Sequence, residues 1–115
     1  MADQVSLKKT PVDKIYKFLR LLKRKGIKVS QAILFGSYAK GRANADSDID
    51  IAIISKQFGE DSAEEMMFLR KLALKVDSHI EPLPLSPLDL EDKYSTLVEE
   101  IKRYGKLLWK EKLST

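Results

Sequence analysis

Apolar residues recur along this chain with two different periods, and the switches between them mark out its elements. From Thr10 to Gly26, the residues Ile15, Phe18, Leu19 and Leu22 fall at i, i+3, i+4 and i+7, the stripe of an amphipathic helix. Thr10-Pro11-Val12-Asp13 supplies its start: a hydroxyl at the N-cap, proline at the first helical position and an acid at the third. Lys23-Arg24-Lys25 sets cations against the negative helix end, and Gly26 allows the chain to turn away. So placed, the basic cluster reads as dipole compensation and solvated surface, not as a nucleic-acid contact. A second helix opens at the capping-box pattern Ser62-Ala63-Glu64-Glu65, and Met66, Leu69, Leu72, Ala73 and Val76 form its inner stripe. A third opens at Ser86-Pro87-Leu88-Asp89, carries Leu90, Tyr94, Leu97, Val98 and Ile101 on one face, and ends at Gly105.

Between these helices the period shortens. Ser30 to Phe35 reads as a buried strand, followed by Gly36-Ser37 and a short helix to Lys40 or Gly41. Residues 42–47 form a polar loop, and 48–54 form a second strand. Ser78 to Leu85 is a third strand, with Ile80 on one side and His79 and Glu81 on the other. Pro82 and Pro84 restrict it to a sheet edge or to early loss of pairing. Lys106 to Lys110 gives a last, short edge strand. About 12 residues separate the first two strands, too few for a helical parallel crossover. The expectation is therefore an α/β (α+β) fold: a mixed sheet of three to five strands with long helices packed mainly on one face.

Composition narrows the chemistry. The 115 residues make one domain with a single modest core, the first nine lacking periodicity and read as a flexible start. There is no cysteine and one histidine, His79, which excludes disulfides, thiolate sites and a histidine-rich zinc centre. No apolar run reaches the roughly 18 residues of a membrane span, and Met1 to Lys9 lacks a secretory apolar core, so a cytoplasmic location without membrane contact is expected. The net charge of +4 comes from 21 basic and 17 acidic residues, a mixed surface that tolerates an anionic partner without requiring one.

The chemistry lies between residues 36 and 50. A Gly36-Ser37 turn leaving a strand presents backbone N–H groups to an anion. Ten residues later, Asp48 and Asp50 open the second strand and project to one side, while Ile49, Ile51 and Ile53 project to the other. Two carboxylates about 4 Å apart repel by roughly 4 kcal/mol at an effective dielectric of 20, a cost that a divalent cation removes. An oxygen-only donor set favours Mg²⁺ or Mn²⁺. Glu81, at the start of the next strand, is the candidate third carboxylate, and Asp77 is the runner-up. His79 reads as packing or support, Tyr38 divides evenly between a base-stacking and a packing role, and burial in the domain's own core is favoured for Trp109 with Leu107 and Leu108.

The spacing Gly36-Ser37, ten residues, Asp48-x-Asp50 resembles the signature of the DNA polymerase β-type nucleotidyltransferase superfamily. With Gly-Ser-Tyr-Ala-Lys-Gly and Ser-Asp-Ile-Asp on so short a chain, it is most similar to the minimal nucleotidyltransferases of prokaryotes. Ile80 to Ser86, followed by Leu88-Asp89-Leu90, resembles that group's second conserved region, and the likeness spans about residues 12 to 110. The resemblance implies a polymerase β palm-like fold, with Asp48, Asp50 and Glu81 as catalytic metal ligands for two Mg²⁺ ions. It implies a nucleotide-binding set of Gly36, Ser37, Lys40, Arg42 and Ser47, with ATP as substrate. Many relatives have arginine where Lys40 stands; lysine keeps the charge but not the bidentate geometry. It further implies an antitoxin that transfers AMP to a tyrosine of a HEPN-domain toxin. Two other readings stand beside it: an antitoxin acting by contact alone, and an aminoglycoside-type nucleotidyltransferase, whose relatives carry an extra substrate domain. Without a second domain here, an outside acceptor surface or a homo-oligomer is expected, and nucleic acid is not.

Overall fold

The computed structural model describes residues 10–112, so the expected flexible start at 1–9 lies outside the described residues. Helix α1 (Pro11–Arg24) leads to strand β1 (Gln31–Phe35) and then β2 (Ile49–Ile54). Helix α2 (Ser62–Leu74), strand β3 (Ile80–Leu85), a 3₁₀ turn at Asp89–Glu91, helix α3 (Thr96–Tyr104) and strand β4 (Lys106–Lys110) follow. The four strands form one sheet in the order β3-β2-β1-β4. β1 runs antiparallel to both neighbours, and β2 and β3 run parallel. The mixed sheet follows from loop length: the 36–48 connection can only double back, while the β2–β3 connection has room for α2.

Local chemistry sets the helix starts. Thr10 Oγ1 accepts from the Asp13 N–H at 3.1 Å and Asp13 Oδ2 accepts from the Thr10 N–H at 3.2 Å, a complete capping box. At α2 the cap is one residue earlier than expected. Asp61 accepts from the Glu64 N–H at 3.1 Å, and Glu65 instead turns back to accept from the Gly59 N–H at 3.0 Å.

The long helix expected over 86–105 is divided. Ser86 and Asp89 cap each other reciprocally, yet the turn they open ends at Glu91. Asp92 Oδ1 then accepts from the Tyr94 N–H at 2.9 Å, and Ser95 Oγ starts α3 afresh by accepting from the Val98 N–H at 3.1 Å. Side chains that bond their own backbone compete with helix propagation, and here two of them win. Tyr94, expected on the inner stripe, is consequently 95% exposed. The short helix expected after Ser37 is likewise a pair of overlapping turns, closed by Lys40 N–H to Gly36 O and Arg42 N–H to Ser37 O.

Each sheet face has its own core. Ala32 and Leu34 of β1 and Ile49, Ile51 and Ile53 of β2 pack with Ile15, Phe18 and Leu22 of α1 and Leu69, Leu72 and Ala73 of α2. On the other face, a smaller cluster joins Phe35, Ala52 and Ile54 to Ile101 of α3. Two of the three helices thus cover one face, and the nine-residue α3 covers part of the other. β3 is an edge strand, which accommodates its prolines. The Ile49 N–H bonds His79 O and the Ser55 N–H bonds Leu85 O, so odd-numbered residues of β3 face β2. Pro82 and Pro84 turn their missing donors to the open edge. At the opposite edge only Leu108 packs on the core. Leu107 is 54% and Trp109 38% exposed, against the expectation of burial.

Candidate functional site

The phosphate turn and the carboxylates meet on the sheet face that carries α3. Phe35 pairs with Asp50 in the β1–β2 ladder, so Gly36 begins where Asp50 projects. Gly36 has φ +72°, and a Cβ built there would collide with the Asp50 carboxylate oxygen Oδ2. Glycine is therefore required twice over, for a left-handed backbone and for close approach of a carboxylate. Gly41, at φ +73°, closes the same turn. Inside it, the Tyr38 ring packs on the core and its hydroxyl donates to Asn44 O at 3.1 Å, which favours the packing role over base stacking. Ser47 Oγ accepts from the Asn44 N–H at 2.9 Å, so it shapes the loop that delivers Asp48.

Asp50 and Glu81 are direct partners in the parallel β2–β3 ladder and share a face. Asp48 is exposed at the mouth of β2, and Asp50 is half-buried below it. Burial, first of all, holds the Asp50 carboxyl above the usual carboxylate range, and the charges of Asp48, Glu81 and Glu100 add to the effect. Glu100 was not legible in the sequence. It joins the site only because Val98 and Ile101 anchor α3, which leaves Glu100 and Tyr104 facing the turn. Lys40 Nζ lies 3.2 Å from Glu100 Oε1 and 5.0 Å from the centre of the Tyr104 ring. The cation expected at the phosphates is thus poised beside the turn and held there by α3. Arg42 is exposed at the end of the turn.

Glu81 is engaged elsewhere. Arg70 of α2 grips it with both guanidinium nitrogens, Nη2 to Oε1 and Nη1 to Oε2, each at 3.1 Å. Among the described residues, accordingly, no three acids or histidines converge as a ready metal cage. The donor set nonetheless fits a hard divalent cation: only oxygens, with Asp50 and Glu81 side by side in the ladder and Asp48 on the same strand. Asp77 belongs to a different place. It bonds Lys14 at 2.8 Å and His79 Nδ1 at 2.9 Å, and the Lys14 contact, ahead of a smaller opposing effect of burial, brings its pKa down to about 2. That removes Asp77 as the alternative ligand and leaves His79 tied to a structural ion pair. A cleft of about 580 Å³ along α1 and Trp109 also lies apart from the carboxylates.

The family-level model described as polymerase beta, nucleotidyltransferase, matches residues 14–113. The chain is 31% identical over 93 residues to the protein adenylyltransferase MntA of Shewanella oneidensis, covering 81% of this chain. It spans only 63% of the length of that relative. Among solved structures, a toxin–antitoxin with AMP-PNP superposes with a TM-score of 0.62 at 29% identity, covering 87% of this chain and 73% of the other. The MNT antitoxin complex with the tri-AMPylated HEPN toxin of Shewanella oneidensis contains a chain matching at 25% identity with a TM-score of 0.60. That match covers 89% of this chain and 74% of the other. A family-model match over nearly the whole chain settles the lineage: the chain belongs to the polymerase β-type nucleotidyltransferase family.

Proposed function

We propose that this protein transfers AMP from ATP to an acceptor hydroxyl, a tyrosine of a HEPN-domain toxin, and so acts as its antitoxin. The observation that carries the reading is the seating of Asp50 against Gly36. It puts a half-buried carboxylate directly under a turn suited to a triphosphate, with Asp48 above it and Glu81 in register beside it. The naming of a relative as a protein adenylyltransferase and the AMPylated toxin in a similar complex support the choice of nucleotide and acceptor.

In this reading Gly36 and Ser37 hold the phosphates, and Lys40, poised by Glu100 and Tyr104, adds positive charge at the rim with Arg42. Asp48, Asp50 and Glu81 would hold Mg²⁺, which would supply charge neutralisation and alignment of the reacting oxygens. The acceptor oxygen attacks the α-phosphorus in line. The bond to the bridging oxygen of the β-phosphate breaks, pyrophosphate leaves with its electron pair, and the hydroxyl proton passes to a carboxylate or to water. The exposed Leu107 and Trp109 favour a second reading, neutralisation of the toxin by contact. Incubation with Mg-ATP and the HEPN partner, followed by mass spectrometry of the partner, separates the two. Gain of AMP units, lost with Asp48→Asn, is the expected result; neutralisation that survives Asp48→Asn without any mass gain would refute transfer as the mechanism.

A further inference from the structure

Among the described residues, Arg70 is the one cation outside the Gly36 turn that pairs with Asp48, Asp50 or Glu81. Its pairing with Glu81 is a two-point fork, and both carboxylate oxygens are used. A divalent cation at Glu81 would draw on the same two oxygens and would set its charge against the guanidinium's. Arg70 sits on α2, whose Leu69, Leu72 and Ala73 are buried against the sheet, so its backbone is fixed while its side chain is 54% exposed. Among the described residues, no such cation pairs with Asp48 or Asp50. The counter-ion supply around the three carboxylates is therefore uneven.

We infer that Arg70 is a positioning residue that competes with the divalent cation for Glu81. In the metal-free protein Arg70 holds the third carboxylate aside; binding of the cation exchanges one counter-ion for the other. The arginine sets metal affinity through Glu81 and touches neither metal nor nucleotide. This inference rests on the metal-binding role proposed above for Asp48, Asp50 and Glu81.

The test is Mn²⁺ binding to the whole chain without nucleotide, followed by electron paramagnetic resonance and calorimetry. Arg70→Gln is expected to bind Mn²⁺ about two- to fivefold more tightly, since an exposed ion pair of this kind opposes the metal only modestly. Arg70→Lys separates geometry from charge: it keeps the cation but loses the fork, and is expected to tighten binding in part. In the Glu81→Gln background the Arg70→Gln substitution should no longer tighten binding. Unchanged or weaker binding in Arg70→Gln overturns the inference, as does equal tightening with and without Glu81, which would report only the removal of a nearby charge. If Mn²⁺ binding is insensitive to Asp50→Asn, the metal site itself is wrong and the inference falls with it. If binding is sensitive to Asp50→Asn but not to Arg70→Gln, only the inference falls. Arg70 is a surface residue, so circular dichroism should find all variants folded.

Discussion

Asp77 and Asp50 are both partly buried carboxylates at the margins of the same sheet, and they are perturbed in opposite directions. Asp77 faces Lys14 and the His79 ring, and its charge is stabilised. Asp50 faces Asp48, Glu81 and Glu100, and its charge is penalised. The contrast extends to the two faces of the sheet. The face covered by α1 and α2 is a continuous apolar cluster with the Lys14–Asp77 ion pair at its rim. The other face buries only a small cluster and leaves carboxylates concentrated beside a glycine turn. The larger cluster holds the fold together; the other face carries an electrostatic cost at Asp50.

Four substitutions break or sharpen this division. Phe18→Ala, in the larger cluster, should cost about 3–5 kcal/mol in urea unfolding, a large part of the total for a domain of this size. The same substitution should leave the AMP-transfer rate per folded molecule nearly intact. Gly36→Ala should cost about 2 kcal/mol from the left-handed backbone. It should also abolish Mn²⁺ binding, because its methyl group displaces Asp50; normal metal binding in this variant would contradict the proposed seating.

Asp77→Asn should cost about 1 kcal/mol near neutral pH, after allowance for the partial exposure of the pair. A carboxylate lowered from 3.8 to about 2 contributes stability above the ordinary carboxylate range and loses it as pH falls toward 2. The stability gap between Asp77→Asn and the natural protein, followed by thermal melts, should therefore close over that window. Asp50→Asn should do the reverse and by the least. A raised carboxyl destabilises the fold once ionised, so the amide should raise the melting temperature slightly at neutral pH, and the gain should vanish below the ordinary range. Transfer activity should be lost in the same variant. A lower melting temperature at pH 7 would undo the comparison between the two aspartates.

Much of this was legible along the chain. The i, i+3, i+4 stripe located α1 and α2, and the alternation through Ile49 to Ile53 gave β2 and the outward pair Asp48 and Asp50. Pro82 and Pro84 restricted β3 to an edge or to early loss of pairing, and the brief connection between the first two strands argued for a mixed sheet. These inferences rest on local geometry, which a period or a missing N–H already contains. The break between Glu91 and Ser95 was misread because the apolar spacing from Leu90 to Ile101 is also helical. Only the competition of the Asp92 and Ser95 side chains for backbone N–H groups decided it.

The sequence by itself determined which residues could carry the chemistry: a glycine turn, an aspartate pair and Glu81 at one strand's start. Tertiary structure alone decided their counter-ions. That Lys40 is held by Glu100 and Tyr104, that Arg70 takes Glu81, and that Lys14 takes Asp77 depends on helix packing across tens of residues of chain. Periodicity fixes which face of an element is apolar, but charge pairing depends on distance in space, and no spacing along the chain encodes it.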